Sequence, residues 1–102
     1  MKDLPPISEL VDRLGFSAAT VYVSLYDLYR RQRRQQGHYH DGCYWIRMPY
    51  EDFPRMFPYL PEAIVSYALR KLEDEGLLRM VHSGRLSWYV IYRKRQRVVQ
   101  KT

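Results

Sequence analysis

Residues 45–88 change their hydrophobic period in an order that leaves few folds open. Residues 44–48 are aromatic and β-branched, with Arg47 interrupting, and read as a short strand that Pro49 ends. Residues 50–57 read as a short helix. Glu51 and Asp52 sit in its first turn, where acids are favoured, and Phe53, Met56 and Phe57 share its inward side. Pro54 falls early enough that its missing amide costs little. Phe57-Pro-Tyr-Leu-Pro61 is a turn, and Pro61 suits the first position of a second helix, 61–75. Ile64, Val65, Ala68, Leu69 and Leu72 make its buried stripe, and Gly76 stops it. Residues 77–82 are then a strand, Ser83-Gly84 a tight turn and 85–92 the return strand. Leu86, Trp88, Val90 and Tyr92 fall on one face of that strand, and Ser87, Tyr89, Ile91 and Arg93 on the other.

What precedes this stretch reads as packing support. Ile7, Leu10, Val11 and Leu14 recur at helical spacing, so a first helix is expected over 8–14, capped by Ser8 and closed by Gly15. Ser17 then caps a longer helix, 17–36, before Gly37. Ala18, Val21, Tyr22, Leu25, Leu28 and Tyr29 form one apolar face of it, and Val23 and Tyr26 another. So wide an arc implies central burial or a second contact surface such as a dimer partner. Residues 37–43 read as a polar loop. His38, His40 and Cys43 are zinc-ligand types, but no fourth ligand stands nearby: His82 is remote and Asp41 is a weak choice. No metal or other cofactor is expected.

The chain of 102 residues suits one domain and can bury a modest core without staples. Its ten tyrosines supply apolar area with a polar tip. The net charge of +6 is unevenly placed. Residues 1–29 are net −2, 37–60 net −1 and 61–76 net −2. Arg30, Arg31, Arg33 and Arg34 form one acid-free cluster, and residues 77–102 carry seven Lys and Arg with no acid. Such clusters are the electrostatic footprint of nucleic-acid binding, although anionic proteins and membranes attract them too. The Arg30–Arg34 cluster reads equally as a solvated helix end, where cations are favoured, or as a phosphate-contacting patch. A single cysteine excludes an internal disulfide and suits a reducing cytosol. The first residues lack the apolar run of a signal peptide, and no run reaches transmembrane length. A cytoplasmic protein without a membrane partner is therefore expected.

The order strand, short helix, turn, long helix, hairpin is that of a winged helix-turn-helix core. The turn Phe57-Pro-Tyr-Leu, followed by Val65-x-x-Ala68-Leu69-Arg70-Lys71-Leu72-Glu73-x-x-Gly76-Leu77-Leu78, resembles the winged-helix domain of phage replisome organisers. It is similar to DnaD-like primosomal proteins as well. Leu14-Gly15-Phe16-Ser17-Ala18-Ala19, the Tyr-rich helix, the His/Gly loop, Trp45, Pro49, Tyr50-Glu51 and Phe53 extend the resemblance over residues 8–92. It implies a mainly α fold with a small β-hairpin, an α+β winged helix-turn-helix with an extended N-terminal helical region. The domain would span 1–92, with N-terminal helices in 1–36, the core in 44–92 and the wing in 77–92. A basic tail, 93–102, would follow.

The resemblance makes helix 61–75 the recognition helix, with Glu62, Ala63, Ser66, Tyr67, Arg70, Lys71 and Asp74 facing solvent. Pro61, Glu62 and Ala63 replace the family's polar start, and basic residues often stand where Ser66 and Tyr67 are. Only Arg70 and Lys71 are of the types that read base edges, and Glu73, Asp74 and Glu75 lie beside them. The wing and arm are better equipped: Arg79, Arg85, Arg93, Lys94, Arg95 and Arg97 suit phosphates. The expected function is a non-catalytic DNA-binding protein of phage or mobile-element type, for double- or single-stranded DNA. It would act in replication initiation or transcriptional regulation. The alternative is a protein-interaction or dimerisation unit on the same fold, partnered by itself or by a replication or transcription protein. No nucleophile elbow, phosphate loop or spaced carboxylate pair points to an enzyme.

Overall fold

The computed structural model describes residues 5–36, 38–40, 42–49, 52–84 and 86–93. Its elements are α1 (Ile7–Leu14), α2 (Phe16–Gln36), β1 (His38–His40), β2 (Cys43–Pro49), α3 (Asp52–Arg55), α4 (Glu62–Asp74), β3 (Leu78–Ser83) and β4 (Leu86–Ile91). They form an α+β domain with an antiparallel sheet in the order β1-β2-β4-β3.

Two glycines and two prolines set most of the helix boundaries. Pro6 holds the N-cap of α1, and its carbonyl accepts the amides of Glu9 and Leu10 at 3.0 and 3.1 Å. Ser8 is therefore inside the first turn and is not the cap. Gly15, at φ 88°, closes α1 through its amide to the Val11 carbonyl, and its own carbonyl accepts the Ala19 amide. One glycine thus ends one helix and opens the next, so α2 starts at Phe16 and Ser17 lies inside it. Pro61, expected as the first helical residue, instead stands at the N-cap of α4, one place before Glu62, and its carbonyl accepts the amides of Ile64 and Val65.

Gly76 ends α4 at φ 76°. Its amide donates to the Glu73 carbonyl, and the Leu77 amide to that of Leu72, the paired bonds of a Schellman motif. A Cβ in this left-handed conformation costs about 1–2 kcal/mol. Gly76→Ala is therefore expected to lower the unfolding free energy by that amount, read as a lower urea midpoint with an unchanged denaturant slope.

The central helix is α2. Ala18, Ala19, Val21, Tyr22, Leu25 and Tyr29 are buried, and Val23, Tyr26 and Leu28 pack against the same core. Its wide apolar arc is taken up by contacts with α1, α4, β2 and β4. In α4, Val65, Ala68, Leu69 and Leu72 are buried as expected, but Ile64 in the first turn is 36 % exposed at the margin of the stripe. The short helix α3 is a single turn rather than the expected 50–57. Pro58 disfavours helical dihedrals at Phe57, so the helix ends before it and Phe57 is buried as part of the turn.

Two expectations on the sheet need correction. Residues 37–43 are not simply a loop: His38–His40 is a strand, paired His38↔Trp45 and His40↔Cys43, with Gly42 at φ 76°. The strand expected at 44–48 is present as β2, but it does not stand apart from the C-terminal hairpin. β2 pairs with β4 through Ile46↔Tyr89 and Met48↔Ser87, which joins both hairpins into one sheet. Ile46, Met48, Leu78, Tyr89 and Ile91 form the buried row against the helices. Ser87 lies in that row, fully buried, with its hydroxyl 2.8 Å from His82 Nδ1. Trp45, Arg47, Arg79, Val81 and Trp88 belong to the opposite row.

Candidate nucleic-acid interface

Helical phase spreads the Arg30–Arg34 cluster over two adjoining surfaces. Arg31 and Arg34 stand on the side of Asp27, which Arg31 Nη2 meets at 3.1 Å as an exposed i,i+4 pair. Arg30 borders that surface as well, and with Arg33, one turn on, it also borders a second surface toward the β1–β2 hairpin and the end of β4. Together with Arg93 they border a cleft of about 380 Å³ whose walls are tyrosines: Tyr26, Tyr29, Tyr44 and Tyr92. The Arg30 guanidinium lies 6.0 Å from the Tyr26 ring centroid. The cleft thus gathers three guanidiniums from the two basic clusters of the sequence.

Its frame is held by hydroxyl bonds. Tyr29 donates to the Tyr44 carbonyl at 2.7 Å, tying α2 to β2. Tyr22 donates to the Tyr92 carbonyl at 2.5 Å, tying α2 to the end of β4 beside Arg93. Burial raises the Tyr29 hydroxyl above its ordinary range, with Arg33 opposing, and burial likewise raises that of Tyr92, with Arg79 opposing. Burial is also the main reason that Tyr22 is pushed up to about 12. Tyr26 adds to the shift, and Arg13 and Arg93 oppose it.

The sign of this last shift gives a pH prediction. Tyr22 ionises less readily folded than unfolded, so its contribution is fully present below pH 10 and is lost as pH rises from 10 to about 12. Wild-type stability is expected to fall more steeply over that window than that of Tyr22→Phe, measured by urea unfolding at successive pH values. At neutral pH the same variant loses roughly 1 kcal/mol with its hydrogen bond.

The remaining candidates are dispersed. On α4, Tyr67 is 56 % exposed, Arg70 is exposed, and Ser66 and Lys71 are half-buried. Arg70 lies near Glu73, whose carboxyl is raised by burial against the opposing influence of His82. Arg79 is on the outer face of the sheet, its guanidinium 5.2 Å from the Trp45 ring centroid. Arg85, Lys94, Arg95 and Arg97, and with them the tail beyond Arg93, lie outside the described residues, as does Asp41. Among the described residues, no three His, Cys, Asp or Glu side chains converge as a metal site. His38 instead packs edge-on against Trp88, and Cys43 Sγ lies 3.9 Å from the Tyr92 hydroxyl.

Residue patterns alone did not single out the cleft tyrosines or the row of Trp45, Arg47 and Trp88. Both depend on pairing β2 with β4, for which there is no local signal. Among the described residues no helix is long and apolar enough to cross a membrane. Compared with protein-family models, curated proteins and solved structures, the chain finds no match.

Proposed function

We propose that this chain is a non-catalytic winged-helix protein of phage or mobile-element type that binds DNA mainly through phosphates, in replication initiation or transcriptional control. The order α2-β2-α3-α4-β3-β4 and the strand order β2-β4-β3 support the winged-helix reading, with β3–β4 as the wing. The observation that carries the DNA reading is the joining of Arg30, Arg33 and Arg93 around one cleft. Guanidiniums on a rigid frame bind phosphate oxygens as planar forks, which fixes position without reading sequence. Few base-reading side chains on α4 agree with this.

The test is fluorescence anisotropy with labelled 20-base-pair duplexes of unrelated sequence over a salt series. Micromolar binding, nearly equal across sequences and falling steeply with salt, is expected. Absence of binding at 50 mM salt would overturn the reading.

A second reading has an observation of its own. Tyr59 (64 % exposed), Ile64 and Tyr67 leave apolar surface on and just before the first half of α4, where Glu62 also sits. That surface favours a protein partner, including a second copy. Light scattering behind size exclusion, comparing wild type with Tyr67→Ala, separates self-association from a monomer.

A further inference from the structure

We infer that the outer face of the sheet is a second site, which takes unpaired bases of a DNA strand. The inference rests on the preceding reading for the identity of the polymer alone. Its chemistry concerns bases, where that of the cleft concerns phosphates.

The helices cover one face of the sheet. On the other, His38, His40, Trp45, Arg79, Val81 and Trp88 line a pocket of about 400 Å³, within the usual size of a small-ligand site. Both tryptophans of the chain are in it. Each indole carries a guanidinium: Arg79 over Trp45 at 5.2 Å, and Arg47 over Trp88 at 5.9 Å. Trp45 is 7 % exposed, so Arg79 presents the accessible plane there, whereas Trp88 is half-buried and Val81 is 47 % exposed. The rings are held in place: Trp45 Nε1 donates to the His40 carbonyl at 3.0 Å, and His38 meets Trp88 edge-on at 5.2 Å.

Flat apolar rings and guanidinium planes are what unpaired bases stack on, while the arginines offset the adjoining phosphates. Among the described residues no carboxylate lines the pocket, so a polyanion meets no opposing charge there. Arg47 is opposite Trp88 in the ladder, which makes Trp45 its diagonal neighbour. Diagonal neighbours stand roughly 7–8 Å apart, about two base rises of 3.4 Å, so bases two apart along one strand reach both positions. A duplex keeps its bases paired and stacked, out of reach of such a face.

The experiment uses the intrinsic tryptophan emission of the whole chain, titrated with an unlabelled 12-nucleotide thymidine strand and with a strand of the same length that is abasic throughout. Quenching by the base-bearing strand, and affinity at least about fivefold above that of the abasic strand, are expected. Trp88→Ala is expected to abolish that preference and leave duplex affinity unchanged, while Trp88→Phe keeps most of it. Equal affinity for the two strands, or strand binding with unchanged emission, overturns the proposal, and this comparison needs no variant to fold. Base-dependent quenching without duplex binding leaves this site standing and removes the phosphate cleft. Duplex binding without base dependence does the reverse.

Discussion

Alanine at Arg30, Arg33 and Arg93 together is expected to reduce the slope of log affinity against log salt for duplex DNA by about 2.7, at about 0.9 per phosphate released. Over the decade between 1 M and 0.1 M salt, that slope amounts to on the order of 10²–10³ in affinity. The three side chains border one cleft and come from α2 and the segment just after β4, so a single backbone segment of DNA can engage them together. Far-ultraviolet circular dichroism checks that the fold is kept, because Arg33 also hydrogen-bonds Tyr29 and Arg93 has a contact of its own. Arg33 and Arg93 are exposed, and the Arg30–Tyr26 contact contributes only about 0.5–1 kcal/mol. Arg31→Ala with Arg34→Ala is the matched control. It removes two charges from the neighbouring side of α2, one of them already paired with Asp27. A slope change below about 1 is expected from it, since one of its two charges is already neutralised. Equal effects of the two variants would mean that only net charge matters and that the cleft has no special role.

The spread of the arginine cluster over adjoining surfaces was within reach of the sequence, because residue 30 neighbours both 33 and 34 on any helix, and 31 neighbours 27 and 34. The meeting of Arg30 and Arg33 with Arg93 was not, because it depends on where β4 ends relative to α2. The helices were the legible part of the fold. Pro61 and Gly76 act through their own backbone geometry, and so they mark α4 whatever the rest of the chain does. Gly15 was legible as a stop, but its second role, opening α2, needs the helices at hand. β1 escaped notice because all three of its residues are exposed and no alternation appears. Yet the Asp-Gly pair at 41–42 is a strong hairpin signal.

The faces of β4 show why the outer site was hidden. Alternation separated Trp88 from Ser87 correctly, but the usual rule of apolar residues inward points the wrong way. Ser87 is fully buried, with its hydroxyl bonded to His82, while Trp88 is the half-buried member on the open face. A tryptophan on the solvent side of a sheet and a serine in its core are departures from pattern that accompany function more often than stability.

The turn between α3 and α4 gives the largest expected effect on stability. Phe57 and Tyr59 stand two residues apart in one turn, with ring centroids 6.4 Å apart and nearly perpendicular planes. They are similar in size and indistinguishable by periodicity. Phe57 is 0 % exposed and belongs to the core, whereas Tyr59 is 64 % exposed. Truncating a buried phenylalanine removes its transfer energy and leaves a cavity, at a cost of about 3–5 kcal/mol. Against a total of roughly 5–15 kcal/mol for a domain, Phe57→Ala is expected to bring unfolding close to ambient temperature. Tyr59→Ala is expected within about 0.5 kcal/mol of wild type, as for an ordinary surface change. Urea unfolding followed by far-ultraviolet circular dichroism compares them directly. A loss below about 1 kcal/mol for Phe57→Ala would mean that the turn does not seat this ring in the core, against the full burial of Phe57.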